Sequence, residues 1–194
     1  TPDGYLWLGT EAGLVRFDGI KFEVFGHENL PGFSGAILND LMTDYKGTLW
    51  IVSQINGVTC LRDDKFEIAA EVCRLLSKEY WCILECSDHS IWVGANTGIC
   101  RLSGGNATLV PLPEYIPTRT VRALLEDRNG RIWAGTQGGG LVLIQKNGDE
   151  YESQPFSLRG MEITTLFEDR RGALWVGTQE NGLIRYWEDQ YLTF

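Results

Sequence analysis

Asp127–Arg128–Asn129–Gly130–Arg131–Ile132–Trp133–Ala134–Gly135–Thr136 decides the fold, because the chain repeats it. Asp169–Arg170–Arg171–Gly172–Ala173–Leu174–Trp175–Val176–Gly177–Thr178 is nearly the same stretch. Asp44 to Ser53 is a third version, Cys86 to Ala95 a degraded fourth and Thr1 to Thr10 a fifth. Their central tryptophans are Trp7, Trp50, Trp92, Trp133 and Trp175, spaced by 43, 42, 41 and 42 residues. A fixed period in this range marks a solenoid, a propeller or an array.

Aligned on the tryptophan, the copies read strand by strand. Twelve residues before it stand Leu38, Tyr80, Val121 and Ile163; nine before stand Leu41, Ile83, Leu124 and Leu166. This short apolar run reads as a buried strand. It ends in a turn of Asp44, Asp127 or Asp169 closed by Gly47, Gly130 or Gly172. Asp hydrogen-bonds its own backbone there and Gly accepts positive φ, so capping outweighs calcium binding for these aspartates. The tryptophan strand follows, and the Gly after it (Gly9, Gly94, Gly135, Gly177) leaves room for a close neighbour. Another glycine-bearing turn leads to an alternating third strand such as Leu183–Ile184–Arg185–Tyr186, and a polar turn to a fourth such as Glu150–Tyr151–Glu152–Ser153.

Four antiparallel strands in about 42 residues is one blade of a β-propeller. A single blade cannot bury both faces, so its neighbours must. The recurring tryptophans Trp7, Trp50, Trp92, Trp133 and Trp175 are therefore read as core between blades. The expected fold is an all-β propeller segment over residues 1–194, with three strands in the first blade and four in each of the other four. That arrangement is either an arc of a larger ring or a five-bladed ring short of one strand, and the arc is the favoured reading. Of the longer loops, residues 68–78 can hold a helical turn, with Val72, Leu75 and Leu76 suitably spaced.

Charge and composition limit the function. The chain carries a net charge of −9 and no basic stripe, so nucleic acid is not an expected partner. No run of about 18 apolar residues is present, so no membrane span and no direct membrane contact are expected; nor does the N-terminus read as a signal peptide. The five cysteines form no CxxC pair, and buried free thiols are favoured over a disulfide or metal pair. The two histidines, His27 and His89, occupy different repeat positions. His27–Glu28 is a weak acid–base pair in a loop, and Gly138–Gly139–Gly140 is a turn with no helix behind it, hence no phosphate cradle. No catalytic residue, metal site or cofactor is expected.

The pattern Asp-x-x-Gly-x-Leu-Trp-x-Gly-Thr-x-x-Gly-Leu resembles the two-component regulator propeller repeat. The copies at Trp7, Trp133 and Trp175 fit closely. The copy at Trp92 departs at His89 and Ala95, and that at Trp50 at Val52 and Ser53. The resemblance implies a periplasmic sensor propeller of a bacterial inner-membrane receptor. A β-sandwich, a membrane helix and a histidine kinase or diguanylate cyclase would then belong to the parent protein. The segment itself is expected to be non-catalytic and to bind an unknown small ligand, a sugar or a peptide. The alternative is a scaffold for protein interaction or homodimerisation.

Propellers place function where the loops between blades and the turns after the second strand converge. Those turns supply Glu11, Gln54, Asn96, Gln137 and Gln179, one polar residue per blade. The longer loops add Phe33, Tyr80, Tyr115, Arg119 and Phe156. Of these, Glu11, Gln54, Asn96, Gln137, Gln179, Arg119, Tyr80 and Tyr115 are the candidate ligand-binding residues.

Overall fold

A computed structural model describes residues 1–11, 13–26, 37–54, 57–62, 65–76, 79–188 and 190–194. The predicted loop residues His27, Glu28 and Phe33 lie outside them. The chain forms five antiparallel sheets in chain order. Blade 1 has β1 (Leu6–Thr10), β2 (Gly13–Phe17) and β3 (Phe22–Phe25). Blade 2 has β4 (Leu38–Thr43), β5 (Leu49–Ser53), β6 (Gly57–Arg62) and β7 (Lys65–Ile68), followed by helix α1 (Ala70–Leu75). Blade 3 has β8 (Tyr80–Glu85), β9 (Ile91–Ala95), β10 (Gly98–Ser103) and β11 (Asn106–Val110). Blade 4 has β12 (Val121–Glu126), β13 (Ile132–Thr136), β14 (Gly140–Asn147) and β15 (Glu150–Ser157). Blade 5 has β16 (Ile163–Glu168), β17 (Leu174–Thr178), β18 (Leu183–Trp187) and β19 (Gln190–Thr193).

Each sheet pairs its strands in sequence order. The predicted β-propeller blades are therefore present, with the three-stranded blade first. Two local expectations change. Strand β15 runs on through Pro155, which pairs with Val142; an outermost strand tolerates proline because one of its edges needs no donor. In α1 Val72 is buried, as is Leu76 just after it, but Leu75 points outward.

The core lies in the seams. One cluster joins Trp50, Val52 and Val58 of blade 2 to Ile83, Ile91 and Val93 of blade 3, with Val72 and Leu76 from the helix segment. Others join Trp92 and Ile99 to Val121 and Ile132, and Trp133 and Leu141 to Ile163 and Leu174. Trp50, Trp92 and Trp133 are buried, while Trp7 and Trp175 in the end blades are half-buried. The Gly after the tryptophan serves the seam directly. A Cβ on Gly135 would sit 2.5 Å from Cγ2 of Ile163 in the next blade, and one on Gly94 2.9 Å from the Val121 carbonyl oxygen. Cys60, Cys82, Cys86 and Cys100 are buried and outside any disulfide, and burial pushes the thiols of Cys60, Cys82 and Cys86 upward in pKa.

Carboxylates at the ends of first strands reach across three seams to the turn of the preceding blade. Glu85 accepts from the Tyr45 amide at 3.0 Å, Glu126 from the Ser87 amide at 2.6 Å, and Glu168 from the Arg128 amide at 2.9 Å. In the first seam the equivalent residues are Thr43, which has no carboxylate, and Pro2, which has no N–H. There Pro2 packs beside Gly47 instead.

The arc is open. Leu6 and Leu8 are 55% and 38% exposed, whereas the equivalent residues Leu49, Ile51, Ile91 and Val93 are at most 5% exposed. At the other end Phe167 is 62% exposed. No helix among the described residues is long and apolar enough to cross a membrane.

Candidate functional site

The first strands β4, β8, β12 and β16 pack against one another in succession, so they line the inner side of the arc. Each is irregular at the same point. The register of β4 on β5 shifts between Leu38 and Asp40, and β8, β12 and β16 shift at the equivalent Tyr80/Cys82, Val121/Ala123 and Ile163/Thr165. A bulge re-aims the side chain of the extra residue. The extra residues are Asn39, Trp81, Arg122 and Thr164, and all four line one groove of about 260 Å³. Asp40, Cys82, Ala123 and Thr165 complete its inner wall.

The groove has a definite electrostatic layout. The Arg122 guanidinium lies over the Trp81 ring at 4.3 Å from its centroid. Its Nε is 3.2 Å from Oε1 of Glu162, outside hydrogen-bonding direction. With the Gln179 amide turned nitrogen-first toward Glu162, it donates to both carboxylate oxygens at 2.6 and 2.9 Å. Asn39 donates from Nδ2 to the Tyr80 carbonyl at 2.6 Å, and the Thr164 hydroxyl to the Gly177 carbonyl at 3.2 Å. Asp40 accepts from the Leu41 and Ile83 amides, each at 2.9 Å. Burial raises its pKa, against the lowering by those two bonds. The indole N–H of Trp81 is shielded from solvent and has no acceptor among the described residues.

The polar residues after the tryptophan strands gather at the same end. The backbone N–H of Gln54, Asn96, Gln137 and Gln179 each donates to the carbonyl of the residue just before the first strand of its own blade: Ile37, Glu79, Thr120 and Glu162. Glu11 and Arg119 are exposed. Tyr115 is at the surface with Arg159 stacked 4.3 Å from its ring centroid. Tyr80 and Phe156 do not reach this rim. Tyr80 is 3% exposed and its hydroxyl donates to the Leu76 carbonyl at 2.7 Å. Phe156 packs edge-on against Trp133 and Tyr186. Gln179, through Glu162 and Arg122, is the predicted residue tied to the bulged row.

The bulged row is absent from the sequence-based candidates. Its signal is that eleven residues before each tryptophan the type changes from blade to blade, Asn, Trp, Arg and Thr, directly after a position held by Leu, Tyr, Val or Ile. The larger crevices are of another kind. One of about 490 Å³ between blades 1 and 2 is lined by Trp7, Gly47 and Leu49, and its counterpart between blades 4 and 5 by Trp133, Gly172 and Leu174. They recur with the repeat and belong to its packing.

His89 occupies the turn position held by glycine elsewhere, with φ of 62°. It stacks on Tyr45 with centroids 3.8 Å apart and its Nδ1 is 3.2 Å from Glu85. This is a contact across the seam between blades 2 and 3. Among the described residues no group of three or more His, Cys, Asp or Glu is placed to hold a metal ion.

Known proteins give the fold a context. PorZ, a surface component of the type-IX secretion system of Porphyromonas gingivalis, superposes on 98% of this chain with a TM-score of 0.74 at 15% identity, the chain covering 32% of it. The extracellular domain of BT4673 from B. thetaiotaomicron, described as a hybrid two-component system, superposes on 97% with a TM-score of 0.66 at 23% identity, and 31% of it is covered. Virginiamycin B lyase from Staphylococcus aureus superposes on 81% with a TM-score of 0.63 at 20% identity, and 55% of it is covered. Histidine kinase P4 of Formosa agariphila is 30% identical over 74 residues, which span 5% of that protein. The sequence model of the two-component regulator propeller family matches residues 115–138 and 157–180, which contain the copies centred on Trp133 and Trp175, so these two repeats are similar to those of that family.

Proposed function

We propose that this arc is the ligand-sensing propeller portion of a bacterial membrane-bound receptor, acting outside the cytoplasm, in the periplasm. The parent receptor signals through a histidine kinase or a diguanylate cyclase, and the arc transmits binding to those domains by contact. The observation that carries this reading is the convergence of Asn39, Trp81, Arg122 and Thr164 on one groove, beside the rim of Gln54, Asn96, Gln137 and Gln179. Residues from four blades meet there, as a site on a rigid scaffold requires. The family of the matched repeats, the hybrid two-component receptor fold and the kinase similarity support the receptor context. A binding role suits the groups the groove presents, an amide, an indole, a guanidinium and a hydroxyl. A thermal-shift screen over sugars and short peptides tests it, because a ligand of the folded state raises the midpoint. The shift should vanish when Arg119, Gln137 and Gln179 are replaced together.

A second reading rests on the exposed apolar ends. Leu6, Leu8, Phe22 and Val24 of blade 1, and Phe167, Leu192 and Phe194 of blade 5, offer contact surface, which suits a scaffold or a homodimer. Concentration-dependent association without any hit in the screen favours it.

A further inference from the structure

Most polar groups of the axial groove are already committed. Both oxygens of Asp40 accept backbone amides, so Asp40 forms wall and offers little to a ligand. Glu162 is held by Gln179 on one side and faces Arg122 on the other. The Asn39 amide nitrogen and the Thr164 hydroxyl donate to carbonyls of the sheet. Two donors remain. Arg122 makes no side-chain hydrogen bond among the described residues: its buried Nε is unpaired, with Oε1 of Glu162 3.2 Å away. The indole N–H of Trp81 is buried without an acceptor. A buried donor left unpaired costs about 1–3 kcal/mol, so the Trp81 indole N–H favours a ligand that supplies an acceptor oxygen, and the Arg122 guanidinium adds its charge.

The guanidinium is also held in position. Stacking on Trp81 and the Glu162 contact fix its plane, and a fixed guanidinium edge matches a carboxylate with two parallel hydrogen bonds. We propose that the groove formed by the four bulged residues Asn39, Trp81, Arg122 and Thr164 binds a small organic carboxylate, held by the terminal nitrogens of Arg122 and the indole N–H of Trp81. The proposal rests on the sensing reading and narrows its ligand class. Acidic sugars and the C-terminus of a short peptide share this chemistry.

The test is calorimetric titration of the 194-residue chain with paired probes: D-glucuronate against glucose, and the dipeptide Ala-Ala against its C-terminal amide. One carboxylate of a pair should bind at least tenfold tighter than its neutral partner, and the pair that responds identifies the source. Arg122→Gln should remove that preference. Trp81→Phe, which keeps the stacking ring and loses the N–H, should weaken the carboxylate about threefold to tenfold and leave the neutral probe unchanged. Circular dichroism of both variants confirms the blades. Equal binding of glucuronate and glucose, a preference that survives Arg122→Gln, or no binding by either carboxylate overturns the proposal. A neutral sugar or peptide that binds and is lost with Arg119, Gln137 and Gln179 would leave the sensing function standing.

Discussion

The indole N–H of Trp133 donates to Oδ2 of Asp127 at 2.9 Å, across the turn between β12 and β13. The other oxygen of Asp127 accepts the amides of Asn129 at 2.9 Å and Arg131 at 3.0 Å. One carboxylate thus closes the turn and anchors the ring that fills the seam. Asp44 with Trp50 and Asp169 with Trp175 do the same at 2.9 and 3.0 Å. In blade 3 Cys86 stands where this aspartate would be, and Ser90 takes over, accepting from Trp92 at 2.9 Å and donating to Asp88. In blade 1 the Thr1 hydroxyl accepts from Trp7 at 3.0 Å. The spacing of Asp and Trp in the repeat is the spacing of this hydrogen bond.

Replacing Asp127 should therefore do more than loosen a turn. Asp127→Ala leaves a buried indole N–H and two turn amides without their acceptor, a loss of about 2–3 kcal/mol. Trp133→Phe keeps most of the apolar contact. A double-mutant cycle by urea unfolding should find a coupling of about 1 kcal/mol or more between them. Additive effects would mean that the bond contributes nothing to stability.

The same carboxylate sets an acid response. Burial alone would raise the Asp127 pKa, but the Trp133 indole and the Arg131 amide and guanidinium outweigh it and hold it below 3.8. A depressed folded pKa contributes stability in full above the unfolded value, and loses it as pH falls through the folded value. Unfolding midpoints should thus drop below about pH 4. Asp127→Asn should show a shallower drop in that window. Asp40 works with the opposite sign, since its raised pKa means that its protonation favours the fold. An identical acid slope in the variant would remove Asp127 from the response.

Much of this architecture is legible in the sequence because it recurs. The tryptophan period, the turn glycines and the apolar first strands are each repeated, and repetition separates signal from local ambiguity. The site is harder to read for the same reason. Trp81 and Arg122 appear once each, and their exposure to the groove depends on a bulge that no residue type announces. Tyr80 shows the converse error: an aromatic beside a loop reads as a ligand contact, yet its register points it into the seam between blades 2 and 3. Period alone places Tyr80 correctly, since it aligns with Leu38, Val121 and Ile163.

The carboxylate contacts between blades give a prediction with a built-in control. Oε2 of Glu168 accepts the Arg128 amide at 2.9 Å and Oε1 the Arg128 Nε at 2.7 Å. The first seam replaces this pair by Thr43 and Pro2. Glu168→Thr should destabilise the chain by about 1–2 kcal/mol, as loss of a charge-assisted bond does. In an Arg128→Pro background the same change should be nearly neutral, because the amide donor is already gone. Proline suits this place, the second position of a tight turn. Equal costs in both backgrounds, read by urea unfolding, would show that Glu168 acts through some other neighbour.

The open ends make a statement about association. The blade 1 face with Leu6 and Leu8 and the blade 5 face with Phe167 are different surfaces. In every internal seam the outward side of one blade meets the first strand of the next. Contact between the two ends of separate molecules would reproduce that geometry head to tail, and such heterologous contacts build rings or open filaments. Light scattering of the 194-residue chain should show mass rising with concentration. Leu6→Lys with Leu8→Lys should suppress the rise. It should leave the unfolding midpoint within about 0.5 kcal/mol, because neither side chain sits in a seam. Self-association that survives this pair of charges must use another surface, and the blade 1 face would then be free of its own kind.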